Sequence, residues 1–226
     1  MMKAQRRFVL AIGLAALSAS PAFAQAPSAK ITPDTDNTPF TILSTTFILM
    51  ITIPRLALFY SDMVRNKNVL STMAQSLAAT FIVSVLWAIA GYSLTFSGDG
   101  AWLGNLSRVF LHGIAIDTPA PLAKTIPEGL FMIYQMTFAV ITVALVAGSV
   151  ADRLRFSAFA LFCVLWLFVV YVPLAHWVWG GGFLGAAGVL DFAGGTVVHL
   201  NAGVAGIVAA YVLGPRRGYG SENLAP

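Results

Sequence analysis

Five long apolar runs dominate the chain, and short polar segments separate them. The runs cover residues 39–60, 69–96, 127–150, 157–179 and 193–213. An α-helix rises about 1.5 Å per residue, so about 20 apolar residues cross the hydrocarbon core of a bilayer. Each run is long enough to do so. The pattern therefore predicts an all-α fold, a polytopic transmembrane helical bundle of about five spans.

The first residues have the pattern of a cleaved signal peptide. Basic residues from Lys3 to Arg7 precede an apolar stretch, and a small-x-small sequence ends at Ala24. We predict cleavage after that residue, so that 1–24 is the signal peptide and 25–37 a periplasmic tail. An uncleaved first helix is the alternative, although its apolar stretch is short for a span.

Charged residues are scarce and unevenly distributed between the loops. They make up 10% of the chain, whereas soluble domains have about 25%, which excludes an ordinary soluble globular enzyme. Basic residues follow the first, third and fifth runs: Arg65, Lys67, Arg153, Arg155, Arg216 and Arg217. Cytoplasmic loops favour arginine and lysine. We therefore predict a multi-pass protein of the bacterial inner membrane, with a periplasmic N-terminus and a cytoplasmic C-terminus. The sequence has no basic stripe with interleaved aromatic residues, so we do not predict nucleic-acid binding.

The link between the fourth and fifth runs, GGGFLGAAGVLDFAGG, is too rich in glycine for an ordinary helix. It predicts close backbone approach, or an irregular re-entry that lines a cavity. Some transporters consist of two odd-spanned units inserted in opposite orientations. Five spans with the C-terminus inside would form one such unit.

Two ionisable residues belong to the last run, where burial in lipid is costly and polar groups face a cavity or a partner. Asp191 lies at the start of this run, just before its apolar part, and His199 follows eight residues later. On a continuous helix they would be about 80° and about 12 Å apart, so they could line one pathway without touching. The alternative for His199 is an imidazole that a neighbouring helix's backbone satisfies. We find no nucleophile at hydrogen-bond spacing, no metal-ligand cluster and no cofactor motif, so we do not expect an enzyme.

Aromatic residues end the fourth run and interrupt the third. Trp179 closes AHWVWGGG, while Tyr134 and Phe138 lie in YQMTFAVIT. An interfacial aromatic belt is the ordinary explanation for such residues. The sharper hypothesis is a cation–π box, in which aromatic faces replace the hydration of a small cation such as ammonium.

The motifs DFAGGTVVHLNAG, AHWVWGGG, YQMTFAVIT and MVRNKNVLSTMAQS together closely resemble the ammonium transporter and ammonia channel family, over about residues 38–220. The resemblance implies ammonium or ammonia as substrate and a homotrimer with a pore in each subunit. It implies that Trp179 and Tyr134 form an outer recruitment site and that Phe138 is a gate residue. Asp191 would support that site through hydrogen bonds, and His199 would be the first of two pore histidines.

The chain departs from the family in length. The family has eleven spans, whereas residues 38–214 hold five, and 215–226 would be the truncated linker between the two halves. We therefore expect the first half of an inverted-repeat transporter, which either needs a second-half polypeptide or is the covered part of a longer reading frame. The alternative is a truncated non-transporting remnant, or a membrane-embedded interaction or sensing module.

A second departure lies in the first span, where Arg55, Ser61 and Asp62 occupy glycine positions of the family. Glycine allows close helix packing, so each replacement is expected to displace a neighbour. An arginine within a span costs about 3 kcal/mol on insertion scales. Arg55 and Asp62 would be about 10 Å apart along a straight helix, too far for a direct salt bridge.

Overall fold

The computed structural model describes residues 36–115, 118–216 and 218–222. The predicted signal peptide and all but the end of the predicted tail lie outside these residues. The described part contains five helices long and apolar enough to cross a membrane, which confirms the predicted helical membrane bundle. They are α1 (Asn37–Ser61), α2 (Asn66–Phe96), α3 (Glu128–Val150), α4 (Phe156–Ala186) and α5 (Gly195–Leu213).

Helix α3 is the central helix of the bundle. It packs against α5, α2 and α1, and its side chains Val140, Val143 and Ala147 are completely buried. The connections between helices are short or, like the loop before α3, begin and end at the same end of the bundle. Successive helices therefore run in opposite directions. One end of the bundle carries Asp191 and the long loop before α3, and we call it the Asp191 end. The opposite end carries the loop between α3 and α4, and we call it the Arg153 end.

Four of the five helices contain a π-helical turn, in which one extra residue widens the helix. The turns are Ile51–Arg55 in α1, Trp87–Gly91 in α2, Leu167–Tyr171 in α4 and Gly195–Leu200 in α5. The first of them includes Pro54, which has no N–H to donate to the helix. A single-turn π-bulge re-aims the residues that follow it.

Helices α1 and α3 come into direct contact at Gly148. A Cβ atom at this position would overlap the aromatic ring of Tyr60. The hydroxyl of Tyr60 donates a hydrogen bond to the carbonyl oxygen of Leu145, at 2.9 Å. A small residue therefore lets the two helices approach closely while a polar contact crosses their interface.

The three unusual residues of the first span lie in different environments. Ser61 is buried, and its hydroxyl donates to the carbonyl oxygen of Ala57 at 2.6 Å, so α1 itself accommodates it. Arg55 and Asp62 are both exposed. Among the described residues no ion pair joins them, as their spacing along the helix predicts.

The loop before α3 is anchored by a buried carboxylate at the first turn of that helix. Glu128 is 2% exposed, and its Oε2 lies 3.2 Å from Arg108 Nη2. The hydroxyl of Tyr92 donates to the other oxygen, Oε1, also at 3.2 Å. These contacts fasten the loop to α2 and α3, beside the region where the aromatic residues converge.

Candidate functional site

A cavity of about 690 Å³ opens at the Asp191 end. Tyr134 and Phe138 of α3 line one side, Trp179 of α4 lines another, and the irregular segment 189–194 closes the wall. The three aromatic residues of the proposed cation–π box therefore share one cavity. This proximity cannot be read from the sequence, where about 40 residues separate the two motifs.

The rings form a chain with Phe138 in the middle. Its centroid lies 4.9 Å from that of Tyr134 and 5.7 Å from that of Trp179, and both pairs are edge-to-face. Edge-to-face geometry places the positive ring edge of one partner against the negative face of the other. The arrangement holds the rings in fixed relative orientations at the wall of a water-accessible space.

The irregular segment before α5 fixes the orientation of Trp179. The indole N–H donates to the backbone carbonyl oxygen of Asp191 at 2.8 Å. Gly180 and Gly182, which follow the tryptophan, lie where a Cβ atom would overlap other backbone atoms. The glycine-rich link is thus a place of close backbone approach, and it connects the aromatic residue to the start of α5.

Asp191 lies before α5 and not on it, which corrects the helical spacing assumed between Asp191 and His199. Gly194 has φ +78°, a left-handed conformation that favours glycine, and α5 begins only after it. The carboxylate instead accepts hydrogen bonds from the backbone N–H groups of Gly195, Thr196 and Val197, at 2.7, 2.9 and 2.9 Å. These are N–H groups that a helix start leaves without an intrahelical partner. Asp191 therefore acts as a charged cap on α5.

Gln135 is a cavity residue that the predicted site did not include. Its Oε1 atom is buried and has no hydrogen-bond partner within the described residues. A buried acceptor without a partner is costly, and it is uncommon in native structures. In the sequence, Gln135 stands out only as a neutral polar residue between two aromatic positions of an apolar span. This pattern alone does not distinguish a residue that lines a cavity from one that contacts a neighbouring helix.

His199 lines a different space, a groove of about 470 Å³ between α3 and α5. Its neighbours there are Leu145, Ser149 and small residues of α5. Nδ1 lies 3.0 Å from the carbonyl oxygen of Gly194. The backbone partner predicted as the alternative for this histidine therefore exists, but it belongs to the start of the same helix and not to a neighbouring one.

The other described histidine of an apolar helix, His176, has a structural position. It is completely buried, with Nδ1 2.7 Å from the carbonyl oxygen of Thr95 and Nε2 2.5 Å from that of Gly100. These contacts join α4 to the end of α2 and the loop after it. Within the described residues no group of three or more His, Cys, Asp or Glu side chains is arranged to hold a metal ion. Cys163 is buried in the apolar core.

Comparison with known proteins gives one consistent result. Residues 40–226 match the model of the Ammonium Transporter Family. The chain is 53% identical over 164 residues to an ammonium transporter of Bacillus subtilis, a match that covers 73% of this chain and 40% of that protein. An ammonium transporter of Aquifex aeolicus is 44% identical over 206 residues, with coverage of 89% and 47%.

A solved structure of similar fold is Mep2 of Candida albicans. It superimposes with a TM-score of 0.71 at 38% sequence identity, over 78% of this chain and 39% of that one. The chain thus spans less than half the length of the relatives that it matches.

Proposed function

Because the chain belongs to the ammonium transporter family, we propose that it takes part in the passage of ammonium or ammonia across a membrane, with the aromatic cavity as the site that first binds the ion. The observation that carries this proposal is the convergence of Tyr134, Phe138 and Trp179 on one cavity of about 690 Å³.

The chemistry of the cavity suits a small cation with N–H donors. Aromatic faces attract a cation with about 0.5–2 kcal/mol each, more when water is excluded. The unpartnered Oε1 of Gln135 adds a hydrogen-bond acceptor, which an ammonium N–H satisfies. The carboxylate of Asp191 adds negative charge near the cavity while three backbone N–H groups hold it in place. Its role is therefore to hold the cavity wall and bias its potential, without direct contact to the ion.

The path beyond the aromatic cavity is part of the same proposal. His199 lines the groove along α5, on the way towards the Arg153 end. We assign Phe138 to a gate between the two spaces and His199 to the pore proper, where its imidazole accepts or donates a hydrogen bond. Four further features belong to this proposal: assembly as a homotrimer, a second half in the same or another polypeptide that completes each pore, a bacterial inner-membrane location and a periplasmic Asp191 end.

A second candidate function is recognition of ammonium without passage, as in an interaction or sensing module. One observation favours it: the aromatic cavity and the His199 groove have no lining residue in common. The ion could therefore bind at the first space without entering the second. Only the transport hypothesis requires the ion to enter both spaces.

The test is methylammonium uptake and ammonium binding by the full chain in liposomes, with Trp179→Leu as the variant. We expect about tenfold weaker binding, because one cation–π partner of about 1.4 kcal/mol is lost. Trp102→Leu is the matched control. Trp102 lies in a separate aromatic cluster, 6.0 Å from Trp177 and 4.7 Å from Phe183, and does not line the cavity. Equal binding by both variants would contradict the recruitment role. Binding without uptake, even when the chain is reconstituted together with a second half from a related transporter, would favour the recognition module.

A further inference from the structure

A second polar cavity, of about 580 Å³, lies at the Arg153 end. It is bounded by the first turns of α2, the loop between α3 and α4, and the residues that follow α5. Its wall has more basic than acidic residues. The basic ones are Arg65, Lys67, Arg153 and Arg155, and the acidic ones are Asp152 and Glu222. The transport proposal does not give this cavity a function.

Other residues already neutralise one of the two carboxylates. Oδ1 of Asp152 accepts a hydrogen bond from the Asn68 side chain at 2.6 Å, and Oδ2 lies 3.8 Å from Arg216 Nη1. Arg216 does not line the cavity. The cavity wall therefore keeps a positive potential, because part of its negative charge is paired with a cation outside it.

Three unsatisfied polar atoms belong to residues of this wall. Nε of Arg65, Nε of Arg153 and Oε1 of Gln75 are buried and without a hydrogen-bond partner. The orientation of the Gln75 amide is fixed, because its Nε2 donates to the carbonyl oxygen of Leu154 at 3.1 Å. Seven such atoms occur in the described part of the chain, so this cavity holds nearly half of them. Buried polar atoms without partners call for an explanation, and an unfilled ligand site is one.

A carboxylate of the chain already rests on one of these arginines. Oε2 of Glu222 lies 3.2 Å from Nη1 of Arg65, and the Glu222 side chain is 63% exposed. An ion pair with one exposed partner contributes about 0–1 kcal/mol, so a better anion displaces it readily. The Glu222 carboxylate thus occupies the position beside Arg65 where an external anionic group would bind, and it competes only weakly with that group.

We propose that this cavity binds a phosphomonoester group. Arginine and lysine bind its oxygens, and the unpartnered Nε atoms suit charge-assisted hydrogen bonds. A phosphomonoester in its singly protonated form also has an O–H, which donates to Oε1 of Gln75. Sulfate near neutral pH has no such proton. The site therefore distinguishes phosphate from sulfate by the one acceptor among its unsatisfied atoms.

The group can come from two sources, a lipid head group or a solute. Basic pockets between the ends of transmembrane helices bind anionic lipid head groups. Two apolar side chains beside the cavity are exposed, Leu70 at 79% and Phe156 at 50%, and they offer a surface for acyl chains. Phosphatidic acid and inorganic phosphate present the same chemistry from the two sources.

The experiment measures binding of both probes to the full chain in phosphatidylcholine nanodiscs. Radiolabelled phosphate tests the solute, and retention of phosphatidic acid over phosphatidylcholine in native mass spectrometry tests the lipid. Saturable binding of either probe supports the site and identifies its source. We expect phosphate to compete at least tenfold better than sulfate. Absence of binding by both probes, or equal competition by sulfate, would overturn the proposal.

Matched variants separate a built site from general charge attraction. Lys67→Gln and Arg155→Gln change exposed side chains that make no hydrogen bond within the described structure, so folding should be retained, and we expect about tenfold weaker binding of the retained probe. Lys124→Gln removes the same charge at the opposite end and should leave binding unchanged. Glu222→Gln should tighten binding about threefold. If Lys67→Gln and Lys124→Gln weaken binding equally, the cavity is not the site.

Discussion

Replacing Asp191 with alanine is the sharpest single test of how the aromatic cavity is built. The substitution removes a carboxylate that accepts three backbone hydrogen bonds at the start of α5, at 2.7, 2.9 and 2.9 Å. It leaves the backbone carbonyl that holds Trp179 in place, because that contact does not use the side chain. The variant therefore separates the cap from the indole anchor.

The expected destabilisation follows from the partners that are lost. A hydrogen bond to a charged group contributes about 1.5–3 kcal/mol when buried, and three of them would suggest a large effect. The side chain of Asp191 is only partly buried, however, and Gly195 is exposed, so water replaces part of what is removed. Loss of a helix cap typically costs about 0.5–2 kcal/mol. We therefore expect about 2 kcal/mol, a factor of about 30 in the folded-to-unfolded ratio.

The assay is equilibrium unfolding in mixed detergent micelles, together with membrane abundance and ammonium binding. Asp191→Asn is the matched control, since it retains an acceptor oxygen for the cap but removes the charge. We expect Asp191→Ala to lower stability and abundance, and Asp191→Asn to lose about 1 kcal/mol or less. If Asp191→Ala retains wild-type stability while both variants lose ammonium binding, the carboxylate acts on the ion directly and the capping explanation is wrong.

Two further predictions concern contacts that hold the bundle together. Gly148→Ala should destabilise the fold by about 1–3 kcal/mol in detergent unfolding, because the added methyl overlaps the ring of Tyr60. Gly129→Ala in the same helix meets no atom closer than 3.8 Å and should be neutral or slightly stabilising; equal effects of the two substitutions would contradict the packing explanation. His176→Leu should cost about 1–3 kcal/mol, since it leaves the buried carbonyl oxygen of Thr95 without its imidazole partner, and unchanged thermal unfolding would show that water satisfies this oxygen instead.

Most of the fold could be predicted from the sequence because membrane insertion imposes a strong and simple pattern. Uninterrupted apolar runs predicted all five helices, within three residues at every boundary except the end of the fourth. That helix extends to Ala186 because a short helical turn, Phe183–Ala186, resumes after the glycines. Hydrophobicity carries no information on such turns, since glycine is compatible with several backbone conformations.

The candidate site was only partly predictable. The aromatic residues and Asp191 were identified from motifs, but their convergence depends on how α3 and α4 pack, which local patterns do not determine. The spacing argument for Asp191 failed because it assumed an unbroken helix, whereas Gly194 at φ +78° delays the start of α5. Gln135 was missed because its significance rests on one unpartnered oxygen, a property of the folded structure alone.

The four π-helical turns have a consequence for how this sequence tolerates insertions and deletions. Each turn contains one residue more than a regular α-helical turn, so deleting a single residue within it restores the ordinary spacing. The residues on the two sides of such a deletion keep their present faces, whereas a one-residue deletion in a regular α-helical turn rotates one side by about 100° relative to the other. In α2 and α4 a deletion outside Trp87–Gly91 and Leu167–Tyr171 would therefore turn half of an apolar helix away from its present neighbours without changing its hydrophobicity. A one-residue deletion is thus tolerated better within these turns than elsewhere in the same helices.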